Sequence, residues 1–337
     1  MSRRARPVLA TPIALGLVLV LGGAALAAPI GGLKQFKVPT ADSRPHAITN
    51  GSDGNRWFTE GTEFTNAPAK IARITPAGAI TEFAPDVADG CNVCIITDIA
   101  GGTGDILYVV SNDPSLMRFN VATQAFESPV PMPNSTALGG TAAASATDVW
   151  ITDFNNDMVW RFHLADGQFT SFPVSDPGDV AVDEAGNAWF TQPGDVNAPG
   201  TSLIGRIDAV TGAVTTIATT DGATTVAPRD LTVTADAVWF TARFTPQAIG
   251  RLDRSNSLVT LFPVANTGPS GIAAAPDGVV WFTQETKGNV ASITSTGVIT
   301  EGKAVKGSEA FGITVAANGD PWYTMPGANK VATLQLR

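Results

Sequence analysis

Side chains that carry chemistry are scarce in this chain. The only cysteines are Cys91 and Cys94 and the only histidines His46 and His163, so the Cys-x-x-Cys pair lacks the companions a metal site needs. Basic residues are also few. Lys and Arg number 21 against 30 Asp and Glu, a net charge of −9, which disfavours nucleic acid and anionic membrane surfaces because both require clustered cations. A neutral or cationic partner fits better. Past residue 28 no apolar run is long enough to span a bilayer, and none of the chain has the composition of a disordered segment.

The one long apolar run lies at the start. Residues 1–28 combine Arg3, Arg4 and Arg6, an apolar stretch over 8–26 and the small residues Ala25, Ala27 and Ala28, the pattern of a cleavable secretory signal. Ser2-Arg3-Arg4 hints at a twin-Arg signal, but Arg6 and Pro7 stand where apolar residues belong. The expected location is therefore secreted or periplasmic, at the cell envelope. In an oxidising compartment Cys91 and Cys94 read as a disulfide stapling one loop, with a redox-active pair as the alternative.

What the chain does have is repetition. Residues 268–284 read as a short strand, a Pro276-Asp277-Gly278 turn and an apolar run Val279-Val280-Trp281-Phe282-Thr283 closing on Gln284, one hairpin. The landmark aromatic recurs at Trp57, Tyr108, Trp150, Trp189, Trp239, Trp281 and Trp322, spaced by about 40–50 residues, the period of a propeller blade. Tyr108-Val109-Val110-Ser111 marks the most divergent copy, and Ile-Gly-Arg at 204–206 and 249–251 marks third strands. Residues 33–39 resemble the fourth strands at 80–85, 169–174 and 259–264, while residues 331–337 match a third strand with none after it. The first strand is expected to complete the last blade and close the ring. The fold class is all-β: a seven-bladed β-propeller of four-stranded blades over 29–337, a single monomeric domain. A Trp at a fixed repeat position is expected to pack between adjacent blades, and His163 to face solvent.

The start of each first strand lies beside the end of the second, so one rim of the channel collects a ring of residues. That ring comprises His46 with Glu60, Asp98 with Ser111, Gly139 with Asp153, Asp179 with Gln192, Arg229 and Asp230 with Ala242, Ser270 with Gln284, and Glu309 and Phe311 with Met325. Arg44 adjoins it. The linkers of most variable length, at 61–69, 86–94, 193–202 and 219–227, open onto the same face, where binding surfaces are usually built. A small-molecule or peptide-like ligand is expected there.

Arg44-Pro45-His46-Ala47-Ile48-Thr49, Trp57-Phe58-Thr59-Glu60, Ile204-Gly205-Arg206-Ile207 and Ile299-Thr300-Glu301 resemble the repeats of the virginiamycin B (streptogramin B) lyase family, over nearly all of the chain after the signal. The resemblance implies a seven-bladed propeller that opens a cyclic depsipeptide antibiotic by elimination at its ester, with Mg²⁺ and a histidine base. Such chemistry needs a base near neutral pKa and a cation to hold the developing enolate. The site residues are largely replaced, however. Ser270 stands for the His of the blade-six opening, Ala310-Phe311 for the Pro-His after Glu309, and the stretch after Trp322 has neither the Glu nor the His of the family pattern. The Arg-Pro-His motif is present in blade one instead, so the resemblance points to His46 as base and to Glu60 and Glu309 as Mg²⁺ ligands. The plainer alternative is that His46 and Glu60 only hydrogen-bond one another. Two functions follow: a metal-assisted lyase or lactone hydrolase, or a non-catalytic propeller binding a peptide, glycan or protein.

Overall fold

Each repeat becomes one antiparallel four-stranded sheet, and the described residues form seven of them. The computed structural model describes residues 31–61, 69–85, 95–102, 104–113, 115–133, 140–195 and 200–336. The signal-like segment, Gly139 and the Cys91 and Cys94 pair lie outside the described residues. Blade one runs Ile48–Asn50, Arg56–Glu60, Lys70–Ile74 and Ile80–Phe83 from the channel outward. Blades two to six repeat that order from inner strands Ile96–Gly101, Ala142–Ala144, Val180–Val182, Leu231–Val233 and Pro269–Ala274.

Blade seven takes three strands from the end of the chain and its outer strand, Gly32–Lys37, from the beginning. The pairing runs from Gly32 opposite Gln335 to Lys37 opposite Lys330. A recurrent stacking contact explains why this segment resembles a fourth strand. Phe36 lies 5.7 Å from Trp322, just as Phe83, Phe172 and Phe262 of other outer strands lie 5.4, 5.6 and 6.0 Å from Trp57, Trp150 and Trp239. Asn329, in the left-handed conformation at φ 53°, then ties the first linker down, accepting from the Ser43 hydroxyl at 3.0 Å and donating to the Thr40 carbonyl at 2.8 Å.

The alternation of the second strands makes the seams between blades. In Trp-Phe-Thr the Trp faces one neighbour and the Phe the other, so Trp189 packs in one cluster with Phe240, Trp239 with Phe282, Trp281 with Tyr323 and Trp322 with Phe58. The Ile-Gly-Arg motif is the cross-strand complement. Gly205 and Gly250 lie opposite Phe190 and Phe240, where a Cβ would come within 2.0 Å of the ring. Arg206 and Arg251, opposite Trp189 and Trp239, stack their guanidinium groups 5.8 Å from the indoles.

The Thr of Trp-Phe-Thr does something its place in a strand pattern does not announce. Its hydroxyl accepts from a backbone N–H of its own inner strand and donates to a backbone carbonyl at the opening of the next blade. Thr152 accepts from Thr141 at 2.9 Å and donates to Gly178 at 2.7 Å. Thr191 accepts from Asp179 at 2.8 Å and donates to Arg229 at 3.0 Å. Thr241, Thr283 and Thr324 donate likewise to Ser270, Phe311 and His46 at 2.7, 2.5 and 2.6 Å. All five are fully buried. The divergent blade two has Val110 at this position, and Thr97 of its inner strand makes the bond to Gly140 instead, at 3.0 Å.

Two consequences are measurable. Thr191→Val keeps the shape but leaves a buried N–H and a buried carbonyl without partners, so chemical denaturation should show a loss on the order of 2–4 kcal/mol, largely restored in Thr191→Ser. Deleting residues 31–37 should expose Val331 and Ala332 as an open edge and lower the melting temperature with aggregation; an unchanged melt refutes the closure.

Candidate functional site

The latches place two residues per blade at one mouth of the channel. The first supplies the accepting carbonyl, as His46, Arg229, Ser270 and Phe311 do. The second follows it, as Asp98, Asp179 and Asp230 do. All of these line a channel of about 860 Å³.

Phe311 is in contact with both His46 and a cation. The His46 ring centroid lies 3.9 Å from that of Phe311, and the Arg229 guanidinium sits 4.9 Å from the same Phe311 ring. Burial, reinforced by the Arg229 charge, pushes the imidazole down to about 4, so it is neutral at physiological pH. The three carboxyl groups answer to a repeated structural task. Asp98, Asp179 and Asp230 each accept an inner-strand N–H of the next blade, from Ala142 at 2.8 Å, Leu231 at 2.9 Å and Ile272 at 3.2 Å. Burial raises Asp98 to about 7, and burial together with the Asp179 charge holds Asp230 well above the usual carboxylate range.

Above these groups the mouth carries exposed aromatics and an ion pair. Phe154 and Phe244 line it with 51% and 63% of their surface exposed, and Arg243 pairs with Glu285 at 2.7 Å beside Phe244. Neither Phe stands at a repeat position. An aromatic outside the repeat, just after Trp-Phe-Thr on the loop-rich face, is the signal that points to both.

The structure gathers His46, Asp98, Asp179, Arg229, Asp230, Ser270 and Phe311 in the lumen and disperses the other expected residues that it describes. Asp98 lies opposite Val110 and not Ser111, because the register shifts between Ile96 and Asp98; a second shift sets Gln284 opposite Pro269 and not Ser270. Gln284 is buried, Gln192 donates to the Ser175 carbonyl at 2.7 Å, and Asp153 is buried against Asn156 at 2.9 Å. Arg44 and Glu309, both with positive φ, form a half-exposed ion pair at 2.6 Å. His163 is not free in solvent, since its Nδ1 lies 2.8 Å from the buried Asp148 carboxylate that also holds Arg161.

Glu60 lies apart from the lumen residues. It is fully buried, and neither carboxylate oxygen has a hydrogen-bond partner. Ser43 has committed its hydroxyl to Asn329 at 3.0 Å, and Lys70 turns to Glu82 at 2.9 Å and Thr40 at 2.6 Å. Burial, then the charge of Glu82, raises Glu60 to about 7.

These residues do not fit a divalent cation. Glu309 is already neutralised by Arg44, Glu60 lies apart from the lumen residues, and among the described residues no three His, Cys, Asp or Glu side chains are grouped to hold a metal.

A seven-bladed β-propeller with a mixed aromatic and charged channel mouth is the class defined by this fold and site. The chain belongs to the virginiamycin B lyase family, whose model matches residues 26–216 and 196–337. A virginiamycin B lyase of Nocardia farcinica is 34% identical over 160 residues, 47% of this chain and about half of that relative's length. A streptogramin B lyase structure covers 93% of this chain and 100% of its own, at 24% identity and a TM-score of 0.77. A catalytically inactive histidine-to-alanine variant of the Staphylococcus aureus virginiamycin B lyase with quinupristin covers 91% and 99%, at 22% identity and a TM-score of 0.75. At these identities the structural likeness concerns the fold.

The buried Glu60 carries a pH prediction. A carboxyl raised in the folded state binds more protons there than when unfolded, so its ionisation costs stability as pH rises from about 4.5 to about 7. Glu60→Gln should therefore stabilise the protein at pH 8 by on the order of 2–3 kcal/mol and have little effect near pH 4. Equal effects at both pH values in denaturant titrations contradict this account.

Proposed function

We propose that this protein is a recognition propeller of the virginiamycin B lyase family, which binds a small, peptide-like molecule with aromatic groups at the channel mouth. The observation that carries the reading is the pair Phe154 and Phe244, exposed at the rim of a polar channel where burial against a ligand releases water from both rings. Arg229, the lumen carboxyls and Ser270 below them supply the polar contacts that orient such a ligand. The protein acts as a monomer outside the cytoplasm, after removal of the leading segment, and has no part in nucleic-acid binding.

One observation favours a second reading, a lyase or lactone hydrolase: His46 is neutral and faces the lumen, as a general base must. Against it, a group titrating near 4 is a weak base for removing a proton beside a carbonyl. The elimination that the family resemblance implies also calls for a cation, for which the described residues supply no grouped ligands.

Calorimetry with a streptogramin B type depsipeptide should show saturable binding, weakened about tenfold or more in Phe154→Ala and in Phe244→Ala. Chromatography of the same mixtures should show an intact ring with and without Mg²⁺. Metal-dependent ring opening that disappears in His46→Ala reverses the assignment in favour of the lyase.

A further inference from the structure

The lumen carries more negative charge than its architecture needs. At the position where Asp98, Asp179 and Asp230 accept the next blade's N–H, blade three has Thr141, and its neutral hydroxyl accepts from Val180 at 3.1 Å. A hydroxyl therefore suffices for this contact. Carboxyl groups in blades two, four and five go beyond it, and those of Asp98 and Asp230 are held where burial opposes ionisation. Groups kept at such a cost are characteristic of sites. An independent observation lies beside them. Ser270 lines the same channel, is 1% exposed, and its hydroxyl has no hydrogen-bond partner, while its backbone carbonyl is tied through Thr241 to the backbone N–H of Asp230. A buried hydroxyl without a partner, on the wall of the channel that the carboxyl groups also line, is a polar contact waiting for a ligand atom.

We infer that the carboxyls of Asp98, Asp179 and Asp230, with the Ser270 hydroxyl, form a receptor for a ligand's ammonium group, whose apolar body rests on Phe154 and Phe244. This rests on the reading that the mouth binds a ligand, and it names the charge that ligand carries. Among the described residues the carboxyls are not grouped as metal ligands. An ammonium group suits them better, because its three donors reach separate acceptors. The charged and titratable groups facing them are Arg229, which offsets one carboxylate, the Arg243–Glu285 pair at the mouth and the neutral His46. That balance leaves room for one further cation. An arriving ammonium favours the ionised carboxylates, so on the acid side of the amine's own pKa binding releases a proton and tightens as pH rises.

The test compares the dipeptide amide Phe-Phe-NH₂, with its free amine, against the N-acetylated form, which has the same body without the charge. Calorimetry on the full chain at pH 6, where the α-amine is protonated, should give roughly tenfold or greater preference for the free amine, since bonds to a charged donor are the strong ones. Runs in two buffers of different ionisation enthalpy should show proton release with that ligand alone. Asp179→Asn keeps an oxygen for the Leu231 N–H and should abolish both the preference and the proton release without lowering the melting temperature. Equal binding of the two peptides, with both weakened by Phe154→Ala, overturns the ammonium site and leaves the mouth as the binding surface. Binding of neither peptide overturns both.

Discussion

In five of the blades the hydroxyl of one threonine, shared between two backbones, ties the blade to the next. Apolar seams between blades supply most of the attraction but little direction, since a Trp against a Phe tolerates sliding. A buried hydroxyl that accepts from its own blade and donates to the next fixes the distance and register of neighbouring inner strands at the channel wall. Because every partner is a backbone group, the contact leaves the side chains at those positions free to vary. His46, Arg229, Ser270 and Phe311 all supply the same accepting carbonyl, and yet they present an imidazole, a guanidinium, a hydroxyl and a phenyl ring to one lumen. Scaffold and site occupy the same residues without competing for the same atoms.

Much of the architecture was legible because it is written in large side chains at a fixed period. Trp57 to Trp322 announce the blades, and the phenylalanines of the outer strands announce which segment closes the ring, since Phe36 stacks on Trp322 as its counterparts stack on theirs. The site was less legible for two physical reasons. A one-residue bulge moves a whole strand face, so the register near Asp98 and Gln284 departs from simple counting. Pairing preferences at the rim are also decided by which cation reaches a carboxylate first. Glu309 meets Arg44, Glu82 takes Lys70, and Glu60 is left alone in the interior, none of which spacing along the chain encodes.

The polar groups of the channel and of the blade interior illustrate different uses of burial. Asp148, holding Arg161 and His163, is neutralised by its neighbours and sits below the ordinary carboxylate range. Asp98, Asp230 and Glu60 lack such compensation and sit above it. The first arrangement strengthens the fold at neutral pH, and the second weakens it. A propeller whose seams are as apolar as these tolerates a few such groups, because no single blade carries the stability of the whole.

Closure by the first strand has a kinetic side. The pairing of Gly32 with Gln335 joins residues some three hundred positions apart, nearly the largest separation the chain permits. The strand Gly32–Lys37 has no partner until Lys330–Gln335 has emerged, and blade seven has no complete sheet until then. Six blades can assemble in the order of synthesis through local hairpins, while the seventh waits for an encounter between the two ends. Until that encounter the molecule is an open arc with two unpaired edges, so the interval between the end of translation and the sealing of blade seven is when the protein is most exposed to intermolecular pairing.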